Sequence, residues 1–319
     1  MIEVVVARKW REAEGICGFE LRPIHGGLLP AFTAGAHIDV ELPGGLIRQY
    51  SLCNHPEERD RYRVAVLREV QSRGGSVAMH EALQEGSRLR ISEPRNQFPL
   101  AEEDAPFSLL LAGGIGVTPL LSMAQQLHAL GRRFEMHYCT RSPARTAFRD
   151  YLDQSPFASN VHFHHDDGAP EQRFNAERVL GDAPAGTHLY VCGPGGFIEH
   201  VLGTAADYDW PEMRLHREYF TASSAARQDD DSEFVMRIAS SGERITVPVD
   251  RTALEMLEEA GIEVPFSCES GVCGTCLTPV LEGAPDHRDS VLSESERAAN
   301  DCFTPCCSRA LSTELLLDL

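Results

Sequence analysis

The sequence is short of positive charge. Its 319 residues include 29 lysines and arginines against 48 aspartates and glutamates, which gives a formal net charge of −19. A nucleic-acid partner would need a basic face for its phosphate backbone, so we expect no nucleic-acid binding. The shortage is marked in residues 233–319, where 16 acidic residues stand against 6 basic ones. This region therefore forms either a solubilising surface or a docking face for a basic partner.

Long apolar runs are also scarce. No aspartate, glutamate, lysine or arginine occurs from Ala105 to Gly131, but Gly113, Gly114 and Pro119 interrupt that stretch. It fits a strand, a turn and a helix better than a membrane span. The amino terminus, MIEVVVARKW, lacks the basic and then apolar order of a secretory signal. We therefore expect a cytoplasmic protein without a membrane partner, whose ten cysteines do not form a disulfide framework.

The patterning divides the chain into three regions and a linker. Short β-like runs between Gly/Pro turns, such as Ile2–Ala7, predict an antiparallel β-barrel in the first hundred residues. Buried strands that alternate with helices, such as Phe107–Ala112 followed by Thr118–Leu130, predict a parallel α/β sheet. A hairpin and an amphipathic helix over Thr252–Ala260 open the last region. The predicted boundaries are 1–102, 103–222, 223–232 for the linker, and 233–319.

Three cysteines are concentrated in the motif CESGVCGTC. They could be disulfide partners, zinc ligands or iron ligands. The spacing C-x4-C-x2-C is that of plant-type [2Fe–2S] proteins, whereas structural zinc sites usually supply two C-x2-C pairs. The spacing therefore favours iron. The three thiols are Cys268, Cys273 and Cys276.

A buried cluster needs backbone N–H groups turned toward it and a fourth thiolate. Gly271 and Gly274 allow the positive φ angles that such a close approach requires. The fourth ligand has to come from elsewhere, and the stretch around FTPCCSRA provides it. Counting residues leaves three candidates open, namely Cys302, Cys306 and Cys307.

Two motifs in the first region offer groups that a flavin needs. A flavin requires an aromatic surface, a hydrogen-bond donor near N5, and a cationic, glycine-rich pocket for its phosphate. RQYSLCN provides Arg48, Tyr50 and Ser51, and SRGGS provides a turn at Gly74, Gly75 and Ser76. By themselves these residues could equally be a surface pair and an ordinary turn.

Two further motifs follow predicted strands of the second region. GGIGVTP (113–119) lies between a strand and a helix, where free N–H groups favour a pyrophosphate. YVCGPGGF (190–197) also lies at the carboxyl end of a strand, where ligands bind in open α/β sheets. Neither is the Rossmann fingerprint, so turns with packing glycines are the alternative.

All these motifs together resemble one family. CESGVCGTC with C-x-S-R-A, R-x-Y-S, R-G-G-S, G-G-x-G-x-T-P and C-G-P are similar to the motifs of phthalate dioxygenase reductases, over essentially the whole chain. The resemblance implies an FMN-binding β-barrel, a ferredoxin reductase-like NAD-binding α/β domain and an α+β, β-grasp [2Fe–2S] ferredoxin domain.

The resemblance also implies roles for individual residues. The C-x-S-R-A motif selects Cys306 as the fourth metal ligand, beside Cys268, Cys273 and Cys276. Ser51, Cys192 and Phe220 are the implied catalytic residues, with Cys192 near the nicotinamide and Phe220 over the outer flavin face. The implied cofactor-binding set is Arg48, Gln49, Tyr50, Ser51, Val66, Leu67, Arg68, Gly74, Gly75, Ser76, Gly113, Gly114, Gly116, Thr118, Cys139, Thr140, Arg141, Cys192, Gly193, Pro194 and Phe220.

The order of the motifs suggests an electron route from NADH to FMN, to the cluster, and to a Rieske-type terminal oxygenase subunit. Nicotinamide releases two electrons as a hydride and a [2Fe–2S] cluster accepts one, so a flavin must divide the pair. G-x-S-x-G, H-E-x-x-H and Walker patterns are absent, and no nucleophile is needed. We expect a monomer. The alternatives are a stand-alone, diaphorase-like oxidoreductase and a zinc-stabilised interaction module.

Overall fold

The computed structural model describes residues 1–69, 74–101, 105–220 and 231–319. Its internal contacts divide the chain into two units, Met1–Glu218 and Tyr219–Leu319. The predicted boundaries at 102/103 and 222/223 and most of the predicted linker lie outside the described residues, so the domain limits stay predictions. Within the described ranges, no helix has both the length and the apolar character needed to cross a bilayer.

An antiparallel sheet forms the first part of the amino-terminal unit. Val4 and Val6 are fully buried while their neighbours are not, as the alternation of a pleated strand requires. The backbone N–H of Cys53 donates to the Arg63 carbonyl at 2.9 Å, which joins the two edges of the sheet and closes the predicted barrel. The strands are β1 (Ile2–Ala13), β2 (Ile16–Pro23), β3 (His37–Glu41), β4 (Ile47–Ser51), β5 (Tyr62–Leu67) and β6 (Arg88–Ile91), in the order β4-β3-β6-β1-β2-β5, with helix α1 (Gly75–Glu81) after β5.

A five-stranded sheet forms the rest of this unit, and four of its strands are parallel neighbours. All six residues of its central strand, Ser108–Gly113, are buried, as expected for a sheet covered on both faces. Gly131, with φ +66°, lies just beyond the helix that follows this strand, in the left-handed conformation that commonly ends helices. The strands are β7 (Ser108–Gly113), β8 (Phe134–Thr140), β9 (Val161–His165), β10 (His188–Gly193) and β11 (Leu215–Tyr219), in the order β11-β10-β7-β8-β9, and the helices are α2 (Val117–Ala129), α3 (Arg149–Gln154), α4 (Ala176–Gly181) and α5 (Gly195–Asp207).

Helix α2 ties the two sheets of this unit together. The Ser122 hydroxyl donates to the Asn54 carbonyl at 3.0 Å, and the Gln125 amide donates to the Cys53 carbonyl at 2.9 Å. Both acceptors lie in the segment that directly follows β4. The helix that begins at the GGIGVTP motif therefore fixes the chain that leaves the RQYS motif.

The carboxyl-terminal unit is a mixed sheet with a helix packed on it. Thr252 and Glu255 form a capping box that starts the helix, and Leu254 and Leu257 enter the core of the sheet. This α+β arrangement agrees with the predicted β-grasp class. Strands β12 (Phe234–Ile238), β13 (Arg244–Val247), β14 (Thr278–Glu282), β16 (Cys302–Phe303) and β18 (Glu314–Leu317) are ordered β13-β12-β18-β14-β16, β15 (Pro285–Asp286) pairs with β17 (Arg309–Ala310), and the helices are α6 (Ala253–Glu259) and α7 (Glu294–Ala299).

Candidate functional site

Four buried thiols meet in the carboxyl-terminal unit. Cys268, Cys273 and Cys276 lie in the loop between α6 and β14, and Cys306 lies between β16 and β17. Their exposed fractions are 6, 4, 2 and 5%, respectively. The Sγ atoms of Cys276 and Cys306 are 3.3 Å apart, and Cys268 contacts both Cys273 and Cys306. The fold thus brings the four predicted metal ligands into one group.

Backbone N–H groups of the loop point at these sulfurs. The Gly271 N–H donates to Cys306 Sγ at 3.3 Å, and the φ of Gly271, +69°, lies in the left-handed region that favours glycine. Such donors stabilise negative charge on metal-bound sulfur, so the donor set fits a [2Fe–2S] cluster. The other contacts of this kind are Ser270 N–H and Val272 N–H to Cys268 Sγ and Thr275 N–H to Cys273 Sγ, each at 3.4 Å.

The two other cysteines near the carboxyl terminus are placed differently. Cys307 is half-buried, and its sulfur lies 3.2 Å from the Thr304 hydroxyl. Cys302 is also half-buried and pairs with Pro279 across the sheet. The geometry therefore favours Cys306, which the C-x-S-R-A motif had selected.

The predicted phosphate-binding residues of the barrel come together at one place. A Cβ atom added to Gly75 would lie 2.5 Å from Cγ of Arg48, so the arginine stem packs where a side chain would otherwise be. Gly74 adopts φ +88°, which turns the chain into α1. The Ser76 hydroxyl accepts the Glu69 N–H at 3.1 Å. Arg48 and the Gly74–Ser76 turn thus form one cradle, as the phosphate site requires.

The remaining flavin candidates occupy the two edge strands of the barrel. Tyr50 on β4 is half-buried and packs against the barrel core, and Val66 on β5 is buried, with Leu67 half-buried beside it. The Arg68 side chain is exposed and forms an ion pair with Glu81 at 2.6 Å. On β4, the Gln49 amide donates to Asp39 Oδ1 at 3.1 Å and also contacts His37.

The two predicted nicotinamide motifs pack against each other, backbone to backbone. A Cβ on Gly116 would lie 2.3 Å from the Cys192 carbonyl oxygen, and one on Gly113 would lie 3.3 Å from Cα of Gly193 and 2.9 Å from Cδ of Pro194. These glycines are therefore required by close approach. Around them, Gly114 has φ +53°, and Thr118 is buried with its hydroxyl donating to the Ile115 carbonyl at 3.0 Å.

The other residues predicted for the nicotinamide site, Cys139, Thr140 and Arg141, lie at the end of β8 and directly after it. Cys139 is the register partner of Gly113, and the buried Thr140 hydroxyl lies 2.9 Å from Nδ1 of His165. Arg141 follows and is exposed. Arg145, whose guanidinium has the charge that a 2′-phosphate requires, lies in the same segment and pairs with Glu14 at 2.7 Å.

Glu218 is a residue that the sequence reasoning missed. It lies on β11, and its Oε2 is the acceptor for the Ser51 hydroxyl at 3.4 Å. Removal from water raises the pKa of Glu218 to about 8, and the hydrogen bond from Ser51 offsets part of that rise. Burial also raises the pKa of the Cys192 thiol, with the neighbouring Glu218 adding to it, so this thiol is neutral. The sequence did offer one signal for Glu218. It lies in REYF (217–220), two residues before Phe220, which had already been assigned to the flavin site.

Phe220 follows the last residue of β11 and is half-buried. The barrel and the α/β sheet of the first unit meet at a polar group. It consists of Ser51, Cys192 and Glu218, with Glu218 next to both of the others. A hydroxyl, a neutral thiol and a carboxyl group with a raised pKa are suited to holding a proton and to close stacking, and none of them is an activated nucleophile.

Comparison with known proteins agrees with this geometry. Residues 236–311 match the 2Fe-2S iron-sulfur cluster binding domain, and residues 91–215 match the N-terminal domain of dimethylamine monooxygenase subunit DmmA-like proteins. Vanillate O-demethylase oxidoreductase from a Pseudomonas species is 54% identical, with 100% of each chain covered. Phthalate dioxygenase reductase from Burkholderia cepacia is 41% identical over 100% of this chain and 97% of the relative. The chain belongs to the phthalate dioxygenase reductase family.

A solved structure of a phthalate dioxygenase reductase, described as modular for electron transfer from pyridine nucleotides to [2Fe-2S], has the same fold. It is 42% identical, covers 100% of this chain and 98% of its own, and has a TM-score of 0.79. The chain is thus an oxidoreductase, the reductase component of an oxygenase system, and it carries electrons from NADH through a flavin to a [2Fe–2S] cluster. The predicted fold class and enzyme class are confirmed, and the zinc module and the stand-alone enzyme are set aside.

Proposed function

We propose that this reductase delivers single electrons, by way of FMN and the cysteine-bound cluster, to a Rieske-type terminal oxygenase subunit. The observation that carries the proposal is the presence, in one chain, of a four-thiol site lined with N–H donors and of a polar group formed by Ser51, Cys192 and Glu218. A flavin supplies the chemistry that divides a hydride into two single electrons. The protein binds the cofactors and orients them relative to one another.

In the flavin site, Arg48 and the Gly74–Ser76 turn bind the FMN phosphate, because a cation and a cradle closed by Gly75 suit a dianion. Tyr50 provides the ring surface, and the Ser51 hydroxyl exchanges its hydrogen bond to Glu218 for one to N5 when the flavin is bound. Phe220 covers the outer face, as the family resemblance implies. The other residues assigned to this site are Gln49, Val66, Leu67 and Arg68.

In the nicotinamide site, the two packed glycine turns bind the dinucleotide, since they leave room for its backbone to approach the protein closely. Cys192 is small, buried and uncharged, which allows the nicotinamide and flavin rings to stack closely. Below pH 8, Glu218 holds a proton that keeps negative charge away from these rings. The other residues assigned here are Gly113, Gly114, Gly116, Thr118, Cys139, Thr140, Arg141, Gly193 and Pro194.

In the third site, Cys268, Cys273, Cys276 and Cys306 hold the iron. The acidic surface of residues 233–319 then docks transiently to a basic patch on the oxygenase. The 54% identity to a vanillate O-demethylase oxidoreductase supports an aromatic methyl ether as the substrate of that partner. NADH preference over NADPH, a monomeric state and a cytoplasmic location remain predictions.

An anaerobic titration of the holoprotein with NADH tests the route. We expect bleaching of flavin absorption and then of cluster absorption, and NADH-dependent oxygen uptake when the oxygenase subunit of a vanillate O-demethylase and vanillate are added. Flavin reduction without cluster reduction would contradict the order of the sites. Reduction of both, with no delivery to any aromatic-ring oxygenase, would contradict the assigned partner.

Ionic strength tests the docking face separately. Raising salt from about 0.01 M to about 0.5 M shortens the Debye length from about 30 Å to less than 8 Å, so transfer to the oxygenase should slow by an order of magnitude or more. Reduction of a small artificial acceptor should change little. Coupling to the oxygenase that is independent of salt would show that the acidic surface only solubilises the protein.

A further inference from the structure

A histidine-rich cluster lies on strands β8 and β9 of the parallel sheet, and none of its residues was assigned to the sites described above. Strands β8 and β9 pair with His137 opposite His162, and in a parallel pair such partners face the same side of the sheet. Glu135, two residues before His137, shares that face. The ligand atoms of Glu135, His137 and His162 all lie within 4.8 Å of one another.

A chain of hydrogen bonds fixes which nitrogen of His137 carries a proton. His164 Nδ1 lies 3.2 Å from the Gln172 carbonyl oxygen, which can only accept, so this nitrogen donates. In the neutral ring, His164 Nε2 is then the acceptor, and His137 Nδ1, 3.0 Å away, must donate to it. Neutral His137 is therefore left with a lone pair on Nε2.

That lone pair faces a carboxylate. His137 Nε2 lies 3.7 Å from Glu135 Oε2, and a cation between these two electron-rich atoms would turn their mutual repulsion into attraction. A tetrahedral zinc site with ligand distances of about 2.0–2.1 Å separates its ligands by about 3.4 Å, close to the separation observed. His162 is stacked on His137, with ring centroids 4.8 Å apart, and can provide the third ligand.

We propose that Glu135, His137 and His162 form a binding site for a divalent transition-metal ion of the zinc class. Two imidazoles and one carboxylate are ligands that zinc accepts, and His164 acts as the outer-shell partner that orients His137. Glu135 and His162 are exposed, so their side chains can adjust to an ion while buried His137 anchors it. The fourth position is open to water.

The site is separate from the electron route. None of its three ligands belongs to the flavin, nicotinamide or iron residues assigned above. Its nearest link to them is Cys139 of the nicotinamide set, which follows His137 by two residues on β8 and is the register partner of His164. Zinc binding is thus expected to leave the flavin and cluster spectra unchanged.

Equilibrium dialysis of Zn²⁺ against cluster-loaded, metal-stripped holoprotein tests the proposal. Full cluster occupancy must first be verified by iron and sulfide content, because empty cysteine ligands would themselves bind zinc. We expect one zinc ion per chain beyond the iron. The H162A variant should bind it at least tenfold more weakly, and H164F, which keeps a ring but removes the acceptor nitrogen, 10- to 100-fold more weakly.

His200 provides the matched control. It is an exposed histidine on α5, next to Glu199, and its side chain is not part of the cluster. H200A should bind zinc with the affinity of the unaltered protein. Equal affinity in H162A and the unaltered protein, or equal loss in H162A and H200A, would overturn the proposal, as would the absence of a stoichiometric zinc ion.

Discussion

The cysteine loop and the two nicotinamide turns approach their cofactors in opposite ways. The loop joins α6 to β14 without a regular element, and several of its N–H groups donate to sulfur rather than to carbonyl oxygen. The turns are carried on the ends of β7 and β10, and their glycines pack on each other. The backbone donors of the first site therefore face sulfur atoms that a cluster would use, whereas the glycines of the second site pack against protein backbone.

Removing one of the loop thiols is expected to have the largest effect. C306A should lose iron and lower electron delivery to the oxygenase by more than about 100-fold, beyond the loss typical of an outer-shell change. NADH-dependent reduction of ferricyanide, which can take electrons at the flavin, should persist. Iron content, oxygenase turnover and ferricyanide reduction measure the three effects.

C307A is the matched control for this change, because Cys307 is adjacent in sequence and its sulfur contacts Thr304. It should keep its iron and its activity. If C307A lost iron and C306A kept it, the fourth ligand would be Cys307. The carboxyl-terminal unit should also melt earlier without iron, because metal binding contributes folding free energy.

A methyl group on a packed turn should have the next largest effect. G116A places a Cβ 2.3 Å from the Cys192 carbonyl oxygen, so the backbone must move, at a cost of about 1–3 kcal/mol. The amino-terminal unit should melt several degrees lower, and KM for NADH should rise at least about tenfold as the turns separate.

G203A makes the same chemical change where there is space. Gly203 is exposed within α5, and its added Cβ would meet nothing within 4 Å. Alanine in a helix interior is favoured over glycine by about 0.5–1 kcal/mol, so this variant should be slightly more stable. Equal destabilisation by both variants would show that the turns are not held by close packing.

Glu218 makes the stability of the first unit depend on pH. Its pKa is raised from 4.5 to about 8, so the folded state holds a proton that the unfolded chain releases. The protein should therefore lose stability as pH rises from about 4.5 to about 8, and the contribution is fully present only below that range. E218Q should flatten this dependence. Thermal melts of both proteins between pH 5 and 9 measure it, and parallel curves would show that Glu218 does not titrate there.

The smallest expected effect concerns the choice of nucleotide. Arg145 pairs with Glu14, which reduces its availability for the 2′-phosphate of NADPH. E14Q removes a surface ion pair of about 0.2–1 kcal/mol, so kcat/KM for NADPH should rise no more than about fivefold, with little change for NADH. The double variant E14Q/R145A should lose the gain. A gain that survived in the double variant would exclude Arg145 as the phosphate ligand.

The sequence predicted the strands and motifs whose signal is local. The strand predicted over Phe107–Ala112 is β7, and the helix predicted over Thr118–Leu130 is α2, each displaced by one residue. Both have a local signal, since their apolar runs are bounded by turn residues. β1 continues to Ala13, well past the predicted Ala7, because its polar second half, including Lys9 and Arg11, gains its order from pairing with β2. That pairing is not a local property.

Contacts between distant segments were harder to predict. Counting residues could not select Cys306 among its neighbours, because the choice depends on which thiol the folded chain turns toward Cys276. Glu218 was missed because its place in the site depends on a hydrogen bond from Ser51, which is 167 positions away in the sequence. The histidines of β8 and β9 gave no signal either, since only the strand register places His137 opposite His162.

The ties made by Ser122 and Gln125 have a consequence for building hybrid enzymes. One 13-residue helix begins at one cofactor motif and, one to two turns later, holds the chain that leaves another. A chimera that joins this barrel to the α/β half of a relative would therefore lose both hydrogen bonds unless serine and glutamine are kept at these two positions. Otherwise the crossover point should not separate the two partners of these bonds, so that the helix and the segment it holds come from the same parent.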